Sequence, residues 1–277
     1  MGNIKDLAII KTARTANDWL VLQDDSNNQT YRIKASNFVA GLAASSAFNY
    51  GNDANYSNRL LLLKGNGTDG QSTFTDNSSY NRTITNQGSP IITTSQSRFD
   101  GSSIYFDGAS SLSMPSASEL SIGNGDFTIQ AWIQPLSVTG SRVILDRYSA
   151  SVAWSWWFGL NGNKLRFVVR SSPADSNWTD ITGSVSLPLL QWSYVGVRVT
   201  VDTVIHPTNK SLVLWVNGAR DGSATHTISL NSSLPLTVGR SQVTANNYFY
   251  GYLDDLRFSN RSEDLSIIPG RGFPISV

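Results

Sequence analysis

The sequence predicts an all-β protein, a succession of short antiparallel strands preceded by a small β-hairpin-plus-helix segment. Three observations carry this reading. Of 277 residues, 40% are apolar and 10% aromatic, enough for a sizeable core, while only 15% are charged. Ser, Thr, Asn and Gly fill the difference, a mixture that suits strands joined by polar turns and not a helical bundle. Several segments alternate apolar and polar residues with a period of two, and Asn-Gly or Asp-Gly pairs recur between them.

Taken in order, residues 18–25 (DWLVLQDD) and 29–34 (QTYRIK) flank an Asn-rich turn and read as a hairpin. Ser36 suits the N-cap of a short helix, Asn37 to about Phe48, with Phe38, Val39 and Leu42 on one face. A hairpin and one short helix bury too little apolar surface to stand alone in water. Residues 49–58 (NYGNDANYSN) lack apolar periodicity and read as a linker. The organisation expected is therefore an N-terminal segment over 1–48, a linker over 49–58 and a large β domain over 59–277.

In that domain the predicted strands are Leu60–Leu63, Ser103–Phe106, Ser111–Met114, Phe127–Ile133, Val143–Tyr148, Trp156–Leu160, Lys164–Arg170, Ser193–Val201, Leu212–Asn217, Leu236–Val238 and Tyr248–Ser259. Phe127, Ile129, Ala131 and Ile133 share one face, with Thr128, Gln130, Trp132 and Gln134 on the other. Val195, Val197, Val199 and Val201 repeat the pattern. Such strands lay one side on a core. Asn124-Gly, Asn161-Gly-Asn, Asn217-Gly and Asp221-Gly read as the turns.

Charge and composition exclude several classes. The net charge is +1, with no basic stripe of the kind that nucleic acid requires. There is no cysteine, so disulfides and thiolate metal sites are absent. No stretch approaches the ~18 apolar residues of a membrane span. The apolar run within Met1–Lys11 is too short for a signal peptide, which leads to an expectation of synthesis in a cytoplasm.

Six blocks carry a resemblance. Residues 60–79 (LLLLKGNGTDGQSTFTDNSS), 97–108 (SRFDGSSIYFDG), 125–135 (GDFTIQAWIQP), 192–195 (WSYV), 212–218 (LVLWVNG) and 251–260 (GYLDDLRFSN) follow the order seen in laminin-G-like, concanavalin A-like jelly-roll domains. The resemblance implies a two-sheet antiparallel sandwich with the first and last strands of the domain adjacent. This variant of the blocks is similar to that of bacteriophage structural proteins. Residues 19–25 (WLVLQDD) and 30–36 (TYRIKAS) also resemble a segment that opens some marine-phage appendage proteins.

Candidate sites follow from both sources. Gly65-Asn-Gly-Thr-Asp-Gly fits the dinucleotide pattern literally, but no helix follows to hold a pyrophosphate, so its glycines punctuate a loop. Glycoside hydrolysis needs two carboxyl groups facing one bond. Glu119 and Glu263 are distant in sequence, and the neighbours Asp254 and Asp255 point to opposite faces if the strand is regular. His206 and His226 lie without a nucleophile at recognisable spacing and read as turn residues. An enzyme is not expected.

Laminin-G-like domains often hold calcium, and the resemblance implies a structural Ca2+ at Asp254 and Asp76. By parity with Leu256 and Phe258, Asp254 would point toward the core, where a carboxylate needs a cation or several donors. Backbone N–H groups for Asp254 and a turn cap for Asp76 are the alternative. Trp132, Trp192 and Trp215 lie in regular strands and read as core. Sugars stack on flat aromatic rings. Trp154 and Trp156 in a cluster with Trp157, and Trp178 in a polar loop beside Asp175 and Asn177, are the candidate ligand contacts, a folded-back lid being the alternative for Trp178.

The function expected is a non-enzymatic virion appendage protein, made in the host cytoplasm, whose sandwich binds host-surface polysaccharide. Trp19, Val21, Tyr31, Ile33 and Phe38 would dock the N-terminal segment onto other virion proteins or onto copies of itself, as a homotrimer; neither nucleic acid nor membrane insertion is involved. Two alternatives stand beside it: a purely structural capsid or tail decoration protein, and a glycan hydrolase with an unusual aspartate pair.

Overall fold

Alternating apolar residues become strands, and the computed structural model shows how far the pattern reaches. It describes residues 7–9, 19–24, 29–34, 56–148, 155–170, 178–201, 209–227, 232–242, 247–270 and 272. The chain forms two units, Met1–Asp53 and Ala54–Val277.

The first unit holds a three-stranded antiparallel sheet in the order β1 (Leu7–Ile9), β2 (Trp19–Asp24), β3 (Gln29–Lys34). The hairpin β2–β3 is the one the sequence predicts. Strand β1 is an addition, too short at three residues for its period to be read. Register sets Trp19 opposite Lys34 and Val21 opposite Arg32, while Tyr31 is opposite Leu22 and Ile33 opposite Leu20. Phe38 and the expected helix lie outside the described residues.

The second unit begins with a helical turn, Tyr56–Asn58, and continues through β4 (Arg59–Leu63), β5 (Thr85–Gln87), β6 (Ile91–Thr93), β7 (Ser103–Asp107), β8 (Ser111–Met114), a turn at Ser118–Leu120 and β9 (Phe127–Pro135). Then come β10 (Ser141–Arg147), β11 (Ser155–Asn161), β12 (Lys164–Arg170), β13 (Trp178–Ser186), β14 (Ser193–Val201), β15 (Asn209–Val216), β16 (Ala219–Thr227), β17 (Leu236–Val238) and β18 (Tyr250–Ser259). They form two antiparallel sheets, β13-β12-β11-β10-β17-β8-β5 and β16-β15-β14-β9-β18-β7-β6, with β4 paired to β18. Leu61 stands opposite Phe258 and Leu63 opposite Leu256, so the first and last strands of the sandwich are neighbours.

The inner faces close a single core. Phe127, Ile129, Ala131 and Ile133 from β9 and Val195, Val197 and Val199 from β14 meet Trp156, Phe158, Leu165, Phe167 and Val169 from the facing sheet. Phe127 and Trp156 stack with centroids 6.2 Å apart, and Trp156 meets Phe258 edge-on at 5.4 Å. Each such side chain contributes about 1.5–3 kcal/mol by leaving water. Among the described residues, this core is built from side chains from Leu60 onward. A chain starting at Ala54 is therefore expected to unfold cooperatively, with a melting temperature within a few degrees of the full protein by calorimetry; non-cooperative melting would show that the sandwich depends on the N-terminal unit.

The outer face of the larger sheet is roofed by the segment after β18. Thr128 Oγ1 donates to the Arg261 carbonyl at 2.8 Å and accepts from the Glu263 N–H at 3.0 Å. Gln130 Nε2 donates to Glu263 at 2.8 Å, and Arg257 pairs with the same carboxylate. Leu265 completes a second cluster with Phe99, Trp132, Tyr194, Val213 and Trp215. Gly196 makes room for it, since a Cβ there would lie 2.7 Å from Leu265 Cδ1. Trp132 and Trp215 are thus buried, as expected, but under this roof and not inside the sandwich.

A bulge overturns one expectation. Asp254 faces Trp132 and Arg257 faces Gln130, so β18 carries one extra residue, and Asp255 takes a φ of 47° to absorb it. Leu253, Leu256 and Phe258 therefore point to the core while Asp254 points to the roofed side.

Candidate functional site

Between β4 and β5 the chain makes a long loop built around Asp76, which is 1% exposed. Its Oδ1 accepts from the N–H groups of Leu62 (3.1 Å) and Ser78 (3.0 Å). Its Oδ2 accepts from Ser78 Oγ (2.8 Å), the Arg82 N–H (3.1 Å) and Arg82 Nη1 (3.4 Å). The Arg82 guanidinium also donates to the Leu60 carbonyl and, at 2.7 Å, to Glu119. Charge is thus neutralised inside the loop. Beside it opens a groove of about 510 Å³, lined by residues 72–76 and 81–86.

A second feature lies on the outer face of the smaller sheet. Trp157, Val168 and Asp180 stand in one row across β11, β12 and β13. The Arg166 guanidinium lies 5.2 Å from the Trp157 ring centre and forks onto Asp180, with Nε to Oδ1 at 2.7 Å. In the same row Asp146 stands opposite Trp157. It is fully buried; its Oδ1 accepts from the Tyr148 N–H (2.7 Å) and Gln242 Nε2 (3.3 Å), and burial pushes its carboxyl up to about 7.

These positions redraw the expected ligand site. Trp178 opens strand β13 opposite Arg170, two residues before Asp180, where a polar loop was expected. Trp156 is a core ring, 1% exposed, and cannot meet a ligand without unfolding its strand. Trp154, Asp175 and Asn177 lie outside the described residues. Trp157 entered the sequence reading only as a member of the cluster with Trp154 and Trp156, and Arg166, Asp180 and Asp146 were not singled out. Of these, Asp146 could have been, since with Arg147 it forms a pair of adjacent charges following the apolar run Val143-Ile-Leu.

Calcium does not fit the expected pair. Five protein donors, one of them a guanidinium, occupy both oxygens of Asp76. Asp254 Oδ2 accepts from the N–H groups of Arg98 (2.9 Å) and Phe99 (3.0 Å), and burial pushes this carboxyl up to about 6. Only its Oδ1 is open, against the six to eight oxygens that calcium takes. Among the described residues no three His, Cys, Asp or Glu side chains group so as to hold a metal. Excess chelator is expected to leave the melting temperature unchanged, and a drop of several degrees would reverse this reading.

For acid–base chemistry, both glutamates are committed: Glu119 to Arg82, and Glu263 to Arg257 and Gln130. His226 stands within β16 and not in a turn, and His206 lies outside the described residues.

The geometry defines a lectin-like sandwich. The Laminin_G_3 family of the concanavalin A-like lectin/glucanases superfamily matches residues 106–264, more than half of the chain, and the chain belongs to that family. Among curated proteins, none matches. Solved structures do. The binding domain of Paraclostridial Mosquitocidal Protein 1 superposes with a TM-score of 0.56 at 16% identity, covering 76% of this chain and 51% of that one. The binding domain of Botulinum Neurotoxin DC, in complex with SialylT, gives 0.55 at 15% identity, with coverages of 76% and 50%. Domain 4 of AbnA, a GH43 extracellular arabinanase from Geobacillus stearothermophilus, in complex with arabinotriose, gives 0.50 at 18% identity, with coverages of 69% and 89%. The chain thus spans about half the length of the two toxin binding domains, and the likeness is one of fold.

Proposed function

We propose that this protein is a non-enzymatic glycan-binding module of a virion appendage, with the sandwich carrying the binding surface and the N-terminal unit the attachment to the particle. The observation that carries the glycan-binding part of the reading is the fold: its solved neighbours include two toxin binding domains, one of them in complex with SialylT, and a domain of an arabinanase in complex with arabinotriose. On the outer face of the smaller sheet Arg166 and Asp180 form an ion pair over Trp157, which is 8% exposed, and Trp178 begins the strand that edges them. Shallow sites of this kind bind weakly, because their polar groups must shed water first. Copies assembled as a trimer would raise apparent affinity by about 10²–10⁴-fold.

Incubation with an array of neutral and sialylated glycans is expected to show retention without release of cleaved product. Trp178→Ala is expected to weaken it at least threefold. Product release would make the protein a hydrolase; retention of no glycan would leave the purely structural decoration reading. Deleting residues 1–45 is expected to abolish incorporation into particles while the sandwich stays folded. Incorporation at the normal level would place the anchor elsewhere.

A further inference from the structure

We propose that the groove between the first loop and β5 is a subsite for a neutral saccharide, held by the hydroxyls of Thr75 and Thr83 and the amide of Asn81 over a floor of Phe74 and Ile84. The proposal rests on the glycan-binding reading and gives it a second, separate location. Strand β5 forms one edge of the smaller sheet, whereas β13, with Trp178, forms the other.

The groove has the size and the lining that such a ligand needs. Its volume of about 510 Å³ falls inside the ~300–1,000 Å³ of small-molecule sites, which combine apolar walls with a few placed polar groups. Phe74 and Ile84 are half-buried, and both pack against the sandwich core. They form a firm apolar floor onto which the C–H face of a sugar ring can settle. Thr75, Asn81 and Thr83 are exposed along the same groove.

Counting hydrogen bonds separates structural groups from available ones. Thr73 takes the Gln71 amide on both its hydroxyl and its carbonyl, each at 2.9 Å. Thr85 Oγ1 donates to the Ser113 carbonyl at 3.2 Å, and the Asn86 amide is spent on the Ser72 carbonyl. The side chains of Thr75, Asn81 and Thr83 make no hydrogen bond among the described residues. Asn81, in the lining of the groove, also holds a left-handed backbone, with a φ of 43°. A hydroxyl, an amide and a second hydroxyl therefore line the space with their donors and acceptors unspent, and they match the alternating donors and acceptors of a polyol.

Charge decides the class of saccharide. An anionic sugar would call for an uncommitted cation. Arg82, the arginine of the lining, already gives both terminal nitrogens to Leu60, Asp76 and Glu119. Asp76 has no oxygen to spare. What the groove presents is neutral.

The test uses the full chain and the double variant Thr75→Val/Thr83→Val, which keeps the β-branched shape at two exposed positions and removes only the hydroxyls. Both proteins are applied to an array of neutral and sialylated oligosaccharides, and the strongest neutral hit is then titrated in solution. Wild-type protein is expected to bind at least one neutral oligosaccharide and to prefer neutral to sialylated ones. Each lost hydroxyl is expected to weaken binding roughly threefold to tenfold, so the double variant should fall by at least tenfold at an unchanged melting temperature. Two results overturn the proposal, and they are distinguishable. If wild-type protein binds no neutral oligosaccharide, the glycan reading falls and the groove with it. If it binds and the double variant binds as tightly, the sandwich remains a glycan binder and the groove is not its site.

Discussion

Arg147→Ala is expected to destabilise the sandwich by about 3–5 kcal/mol, the cost of breaking a buried ionic hydrogen-bond network. The side chain ends β10 with no measurable exposure. Its Nε and Nη2 donate to the Leu234 carbonyl at 3.0 and 2.8 Å, and Nη2 reaches Ser116 Oγ at 3.3 Å. Nη1 and Nη2 also bond the carbonyls of Leu120 and Ser232. One guanidinium thus ties the turn at Ser118–Leu120 to the segment that leads into β17. Burial draws its pKa down to about 10, so it stays charged at neutral pH, solvated by carbonyl dipoles instead of water. Alanine would leave those carbonyls without their donor and open a cavity besides. Arg147→Lys is expected to recover less than half of the loss, because a compact ammonium lacks the planar fork whose separate nitrogens reach the three carbonyl oxygens. Urea unfolding measures both variants. A loss below about 1 kcal/mol for Arg147→Ala would mean that water replaces the side chain.

The elements legible in the sequence are those in which one face is wholly apolar. Strands β9 and β14 sit in mid-sheet, so their alternation is complete and their bounds fall within two residues of the prediction. The edges were not legible. Among the described side chains of β13, Ile181 is buried and Val185 exposed, set among Thr, Asp, Gly and Ser, and an edge strand dilutes its pattern in this way. Asp221-Gly looks like a turn, yet β16 runs through it. There the Asp221 carboxylate accepts the N–H groups of Ser184 (2.8 Å) and Val185 (2.7 Å), joining the edges of the two sheets. Such a partner, 36 residues away, leaves no local signal. Parity failed at Asp254 for a related reason, because one extra residue in β18 turns every side chain before it to the other face. The groove was hidden because its Thr and Asn residues resemble those of any polar turn. What distinguishes them is which hydrogen bonds they do not make, and only the folded chain shows that.

The second large effect is a dependence on pH carried by Asp146. Burial raises its carboxyl to about 7, with hydrogen bonds from Tyr148, Ser241 and Gln242 pulling the other way. In the unfolded chain the same group titrates near 3.9. Between those values the folded protein keeps a proton that the unfolded chain has released. The group's contribution is therefore most favourable at low pH, falls as pH rises through this window, and levels off above about 7. Each pH unit crossed within the window costs about 1.36 kcal/mol, so the whole loss amounts to roughly 2–4 kcal/mol. Asp254, raised to about 6, acts in the same sense over a narrower window. Asp146→Asn isolates the first group, since an amide keeps an oxygen for Tyr148 and carries no charge. The variant is expected to match wild-type stability near pH 4, to exceed it by roughly 2 kcal/mol or more at pH 8, and to gain steadily between. Urea unfolding at several pH values gives the difference directly. A constant difference across the range would show that Asp146 is ionised in the fold from low pH, with water or a cation on its second oxygen.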